Sequence, residues 1–129
     1  MIRTMKLVVI QLVLFAAFGC ATDTYRSRGS IDLSKSKTIY IELFENDRYG
    51  FSREVVNRLS EIGFKSVDNK DKADLVLNWR YSTTSTSVRF LFEDKNGITA
   101  YLGVCVDPVE KGEDATWICI ERALTDLSQ

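Results

Sequence analysis

The sequence predicts an α+β domain: a mixed, largely antiparallel sheet in the order β-α-β-β-β-β-α, with two amphipathic helices on one face. Three observations predict it. Alternating apolar and polar stretches recur at Thr38–Glu45, Leu75–Thr84, Val88–Glu93 and Ile98–Val106. Two segments, Phe51–Ile62 and Ala115–Leu127, instead repeat their apolar residues at helical spacing. Asn96-Gly97 then separates two alternating runs, the strongest short-range signal for a hairpin.

Taken in order, Thr38–Glu45 (TIYIELFE) sets Ile39, Ile41 and Leu43 on one side and Tyr40, Glu42 and Phe44 on the other, as a central strand would. Asn46–Gly50 is a turn, and Ser52 offers a helix cap. In Phe51–Ile62, Phe51, Val55, Leu59 and Ile62 form an apolar stripe widened by Val56, and charged residues take the outer face. Gly63 closes the helix in a left-handed conformation, and Phe64–Val67 gives a short strand. Asp68–Asp74 reads as a charged loop. Asp68, Asn69, Asp71 and Asp74 raise the thought of calcium, but Lys70 and Lys72 alternate with them, and the glycine and closing glutamate of a calcium loop are missing.

Leu75 to Val106 reads as an antiparallel meander with Trp79, Phe90 and Phe92 in the core, and Ile98, Ala100, Leu102, Val104 and Val106 along one side of its return strand. The hydroxyl-rich Ser82–Ser87 is an exposed strand end or hairpin loop. Asp107–Asp114 is a loop. Ala115–Leu127 closes the chain as a helix capped by Asp114 or Thr116, with Trp117, Ile120, Leu124 and Leu127 on its inner face.

Ahead of this domain, Met1–Cys20 has three parts. Arg3 and Lys6 precede an apolar run, Leu7–Phe18, and small residues lead into Cys20. The run is shorter than the roughly 20 apolar residues a spanning helix needs. The stretch resembles a bacterial lipoprotein signal, and Ala17-Phe18-Gly19-Cys20 resembles its lipobox, although Ala17 and the bulky Phe18 stand where the family favours Leu and a small residue. That resemblance implies cleavage before Cys20 and acylation of its sulfur and new amino terminus; the competing readings are an ordinary secretory cleavage near Ala17 or Gly19 and an uncleaved anchor. Ala21, in place of Asp, implies the outer membrane, facing the periplasm. Expected boundaries are therefore 1–19 for the signal, 20–37 for the acylated cysteine and a flexible polar tether, and 38–129 for one domain.

The chain has 129 residues and a formal charge of −1; losing residues 1–19 removes Arg3 and Lys6 of its 17 basic residues and none of its 18 acidic ones, leaving −3. Such a balance argues against nucleic acid as a partner, which calls for a clustered basic face. With no histidine, the commonest metal ligand and general base are missing. Two readings of Cys105 and Cys119 stay open: a disulfide permitted by an extracytoplasmic compartment, or two buried thiols. Two thiols alone do not make a zinc site. No nucleotide loop, nucleophile elbow or metal-ligand spacing is visible, so the reading assigns no catalytic residue, metal or cofactor.

Lys37–Ile41, Gly63-Phe64, Val67-Asp68, Lys72–Leu77, Phe92–Asp94 and Asn96-Gly97 resemble small envelope lipoproteins whose fold is similar to the amino-terminal domain of TolB and the α/β core of the curli-secretion lipoprotein. The resemblance implies a fold and an address, not a reaction. The expected function is a non-catalytic module that contacts an envelope protein, with Ser82–Val88 a candidate docking edge and its oligomeric state open. The alternative is a peptidoglycan-binding or small hydrolytic domain. It would draw on paired carboxylates among Glu42, Glu45, Glu110, Glu113 and Asp114, or on Asp47, Arg48 and Arg53 at a helix start.

Overall fold

In the computed structural model, which describes residues 24–35 and 37–129, six strands and two helices form the α+β arrangement. The strands are β1 (Thr24–Gly29), β2 (Lys37–Ile41), β3 (Phe64–Ser66), β4 (Leu75–Ser82), β5 (Thr86–Glu93) and β6 (Thr99–Asp107). The helices are α1 (Ser52–Ile62), between β2 and β3, and α2 (Glu113–Leu127), after β6. Strand order across the sheet is β1-β6-β5-β4-β2-β3. β2 pairs in parallel with β3 and β4, and the remaining pairs are antiparallel.

One face of the sheet carries the core. Leu75, Leu77, Trp79 and Tyr81 of β4 lie beside Val88, Phe90 and Phe92 of β5, and α1 and α2 cover them with Val55, Leu59, Ile120, Ala123, Leu124 and Leu127. Trp79, Phe90 and Phe92 are at most 1% exposed. Each large apolar side chain so buried contributes about 2 kcal/mol. The rings stack, Trp79 on Phe90 at 5.7 Å and Phe64 on Phe92 at 5.2 Å. Gly63 (φ 129°) turns the chain out of α1, its N–H reaching back to the carbonyls of Leu59 and Ser60.

Four details differ from the sequence reading. The stretch expected to be a tether contains β1, which pairs residue by residue with β6 from Thr24↔Val106 to Gly29↔Tyr101. An edge strand needs backbone partners on one side only, so the polar TYRSRG can serve with Tyr25 as its one large inward residue. Residues 30–35 then run back towards β2, tucking Ile31 and Leu33 against the core. Secondly, β2 stops at Ile41. Leu43 is 74% exposed, and Phe44 folds over the end of the sheet to meet Trp79 and Tyr81 edge-on at 5.0 and 4.9 Å.

Thirdly, β6 begins at Thr99 and leaves Ile98 in the turn before it; Leu102, Val104 and Val106 do share one side, which faces away from the helices, the inward side being Tyr101, Gly103 and Cys105. That turn is broader than a two-residue loop: Asp94 accepts hydrogen bonds from the amides of Asn96 and Ile98 at 2.8 and 3.0 Å, next to a register shift at Phe92/Glu93. Finally, Ser82–Val88 is no free edge. Ser82 and Ser87 pair within the β4–β5 hairpin, and Thr86 and Val88 are buried.

Candidate functional site

Among the described residues, two clusters join a tyrosine to a carboxylate across elements. The first lies where β1 meets α2. Tyr25 on β1 and Tyr101 on β6 project from the inward face on either side of Gly103, which is paired with Ser27. A Cβ on Gly103 would stand 2.6 Å from the Tyr25 hydroxyl and 2.9 Å from that of Tyr101, so a side chain here would push the two hydroxyls aside. The Tyr101 hydroxyl donates to Asp126 Oδ2 of α2 at 2.6 Å; the Tyr25 hydroxyl lies 3.2 Å from the same oxygen and in contact with the Tyr101 hydroxyl.

The electrostatics follow from this geometry. The hydrogen bond from Tyr101, with help from Ser27 and Tyr25, holds the Asp126 carboxyl below its ordinary range against the opposing effect of burial. Burial, then the hydrogen bond to Asp126 and the neighbouring Tyr25, push the Tyr101 phenol far above its usual value. Tyr25 is raised as well, chiefly by burial. Phenols held protonated beside a fixed carboxylate are poor bases and poor nucleophiles. The group acts as a latch that closes β1 and β6 onto α2.

Outside the latch, a groove of about 450 Å³ runs between β1 and α2, walled by Tyr25, Trp117, Ile118 and Asp126. Trp117 is also a wall of a second groove, about 400 Å³, between the two helices beside Phe51, Arg58 and Glu113. Trp117 Nε1 donates to Glu121 Oε1 at 2.6 Å, and Arg58 reaches the same oxygen at 3.5 Å, tying α1 to α2 across the groove floor. Ile118 remains 56% exposed on the rim.

The second convergence is at the start of α1. Asp47 accepts from the amides of Phe51 and Ser52 at 2.9 and 2.8 Å and from the Ser52 hydroxyl at 2.6 Å. Tyr81 also donates to Asp47, while its oxygen accepts from the Tyr49 amide at 2.8 Å. Burial would raise the Asp47 carboxyl, but the bonds from Ser52, Tyr81 and Phe51 outweigh it and the carboxyl is lowered. Burial and Asp47 together push the Tyr81 phenol up. The cap is therefore Asp47, reaching forward four and five residues, and not Ser52. Of the residues read as an anion site, Asp47 thus spends its carboxylate on the amides of Phe51 and Ser52 at the start of the helix. Likewise α2 starts after Gly112 with no side-chain cap, so neither Asp114 nor Thr116 serves. Thr116 is buried with its hydroxyl unpartnered.

Cys105 on β6 and Cys119 on α2 form a disulfide, with Sγ atoms 2.03 Å and Cα atoms 5.4 Å apart. Cys20 lies outside the described residues. The remaining candidate carboxylates are dispersed. Glu42 accepts from Asn78 Nδ2 at 3.3 Å, Glu45 is exposed after β2, Glu110 is exposed in the loop before α2, and Glu113 and Asp114 occupy the first turn of that helix. In the charged loop, Asn69 accepts from the Asp71 amide and Asp74 from the amide and hydroxyl of Thr38, so their oxygens serve the chain itself. Among the described residues no group of three His, Cys, Asp or Glu side chains is placed to hold a metal, and no helix is long and apolar enough to cross a membrane.

Compared with known protein families, with curated proteins and with solved structures, the chain matches none.

Proposed function

We propose that this chain is a lipid-anchored envelope protein, held through an acylated Cys20, most simply at the outer membrane facing the periplasm, whose α+β domain works by contacting another envelope protein and not by catalysis. The observation that carries this reading is the Cys105–Cys119 bond in the core. Disulfides persist in oxidising compartments outside the cytoplasm, which is where a basic, then apolar, then cysteine-terminated leader would deliver the chain. The polar clusters support the second half of the reading. The tyrosines beside Asp126 and Asp47 are raised and the carboxylates lowered, the opposite of what a general base or acid at neutral pH requires. Trp117 and the exposed Ile118, flanking shallow grooves on the helical layer, supply apolar surface for a protein partner.

Radiolabelled palmitate should enter the wild-type chain and not Cys20→Ser; equal labelling would end the anchoring half. A photo-crosslinking side chain at Ile118 should give one discrete adduct in intact envelopes while the same group at Glu61 gives none. Identical patterns at both positions would end the contact half.

A further inference from the structure

The face of the sheet turned away from the helices has a charge pattern that the fold does not need. Strand pairing lays it out in rows. Across β1, β6, β5 and β4, one row reads Arg26, Val104, Arg89, Arg80, and the next Arg28, Leu102, Leu91, Asn78. A third row, Thr24, Val106, Ser87, Ser82, is uncharged. These rows hold four arginines, four aliphatic side chains and no carboxylate. Among the described residues no carboxylate lies within salt-bridge range of Arg26, Arg28, Arg80 or Arg89.

Arg80 and Arg89 stand directly opposite one another, an arrangement that costs stability in a sheet. Their relief is local and neutral: Arg89 donates to Asn78 Oδ1 at 2.7 Å, and Arg80 donates to the Trp79 carbonyl at 2.7 Å with its guanidinium over Phe44. The helical layer has the reverse character. The spans of α1 and α2 contain Glu54, Glu61, Glu113, Asp114, Glu121 and Asp126 against Arg53, Arg58 and Arg122. Two carboxylates, Glu93 opposite Val76 and Glu42 beside Asn78, stand on the same face towards β2, so this acidic domain concentrates positive charge, interleaved with Leu102, Val104 and Val106, on the part of its uncovered sheet face nearer β1.

We propose that this face is a docking surface for the anionic headgroups of a lipid bilayer. Planar guanidinium groups match phosphate geometry, and aliphatic side chains between them suit the headgroup–acyl boundary. A second copy of the chain stacked on the arginine-bearing part of this face would set arginine rows against arginine rows, which disfavours it. The position of β1 adds a geometric reason. Thr24 is four residues from Cys20, a reach of at most about 14 Å, so an anchor at Cys20 keeps Arg26 and Arg28 within close range of the bilayer. That geometric reason rests on the anchoring reading above, whereas binding through the arginines does not.

The test is flotation of the chain 20–129 carrying Cys20→Ser, which keeps every described element, with phosphatidylglycerol–phosphatidylcholine vesicles and with pure phosphatidylcholine vesicles at low salt. Each basic side chain near an anionic surface gives roughly a fivefold gain in partitioning, so Arg26→Ser/Arg28→Ser/Arg89→Ser should lose about 100-fold. The control Arg48→Ser/Arg53→Ser/Lys111→Ser, with the same change in net charge, should lose no more than about threefold, since its residues lie off this face. Equal partitioning into the two kinds of vesicle would overturn the proposal, as would equal losses in the two triple variants. Palmitate labelling of the wild-type chain is read separately, so loss of the docking face and loss of the anchor give different results.

Discussion

Breaking the Cys105–Cys119 bond should lower stability by about 3 kcal/mol. The bond closes a segment with a sequence separation of 14, and in the chain-entropy account a loop of that size restricts the unfolded ensemble by roughly that amount. Both residues are 1% exposed, on β6 and α2, so reduction leaves two thiols in a core that stays packed around them. The loss therefore falls mainly on the unfolded side of the balance. With a urea slope of about 1.5 kcal/mol per molar for a domain of this size, the midpoint should move down by about 2 M. The assay is urea unfolding followed by tryptophan fluorescence, with oxidised chain, reduced chain and Cys105→Ala/Cys119→Ala measured side by side. Burial adds a kinetic expectation. Dithiothreitol should cleave the bond slowly in native buffer and quickly in denaturant, because attack on either sulfur requires opening β6 from α2. Equal midpoints for oxidised and reduced chain would refute the energetic reasoning. Equal cleavage rates in the two buffers would refute the burial.

Asp47→Ala should cost about 2 kcal/mol, since it removes the acceptor for two amides at the start of α1 and strands the Tyr81 hydroxyl; thermal melts will measure it, and a cost below about 0.5 kcal/mol would dismiss Asp47 as the cap. Thr116→Val should raise stability by about 1 kcal/mol, because the buried hydroxyl has no partner to lose, and a drop in melting temperature would show that it has one. Acid should act through Asp126 and Asp47. Their folded-state carboxyls lie below the unfolded value, so their contribution is complete above about pH 4 and is lost as pH falls through the folded pKa values. The melting temperature of Asp126→Asn should accordingly fall less between about pH 5 and pH 2 than that of the wild type, and parallel curves would contradict this.

The parts of the fold that were legible in the sequence are those whose signal is local. Val55 and Leu59, with Ile120, Leu124 and Leu127, mark the inner faces of both helices by spacing alone, and Gly63 and the aromatic alternation of β4 and β5 are read directly. What escaped depends on partners far along the chain. β1 carries almost no apolar alternation because Tyr25 is its one large inward residue, and its pairing is with residues some 76 positions away. β6 misleads because its more aliphatic side is the uncovered one; the inner side is chosen by Cys105, by Gly103 and by Tyr101. The cap at α1 is hard to read since Ser52 is itself a donor to Asp47, several residues upstream. Neither phenol–carboxylate cluster has a sequence signature, for Tyr25, Tyr101 and Asp126 meet only after the sheet has formed. The cysteines stayed undecided because a spacing of 14 says nothing about separation in space until β6 and α2 are packed.

The placement of β1 at the border of the sheet has a mechanical side. A tug on the chain ahead of Thr24 loads the Thr24–Val106 rung before any other, and one residue later it meets Tyr25, gripped through Tyr101 by the last turns of α2. Peeling would halt there until the phenols let go. That trio is thus a mechanical fuse, and the force at which it yields decides whether β1 stays on the sheet when the chain ahead of it is pulled.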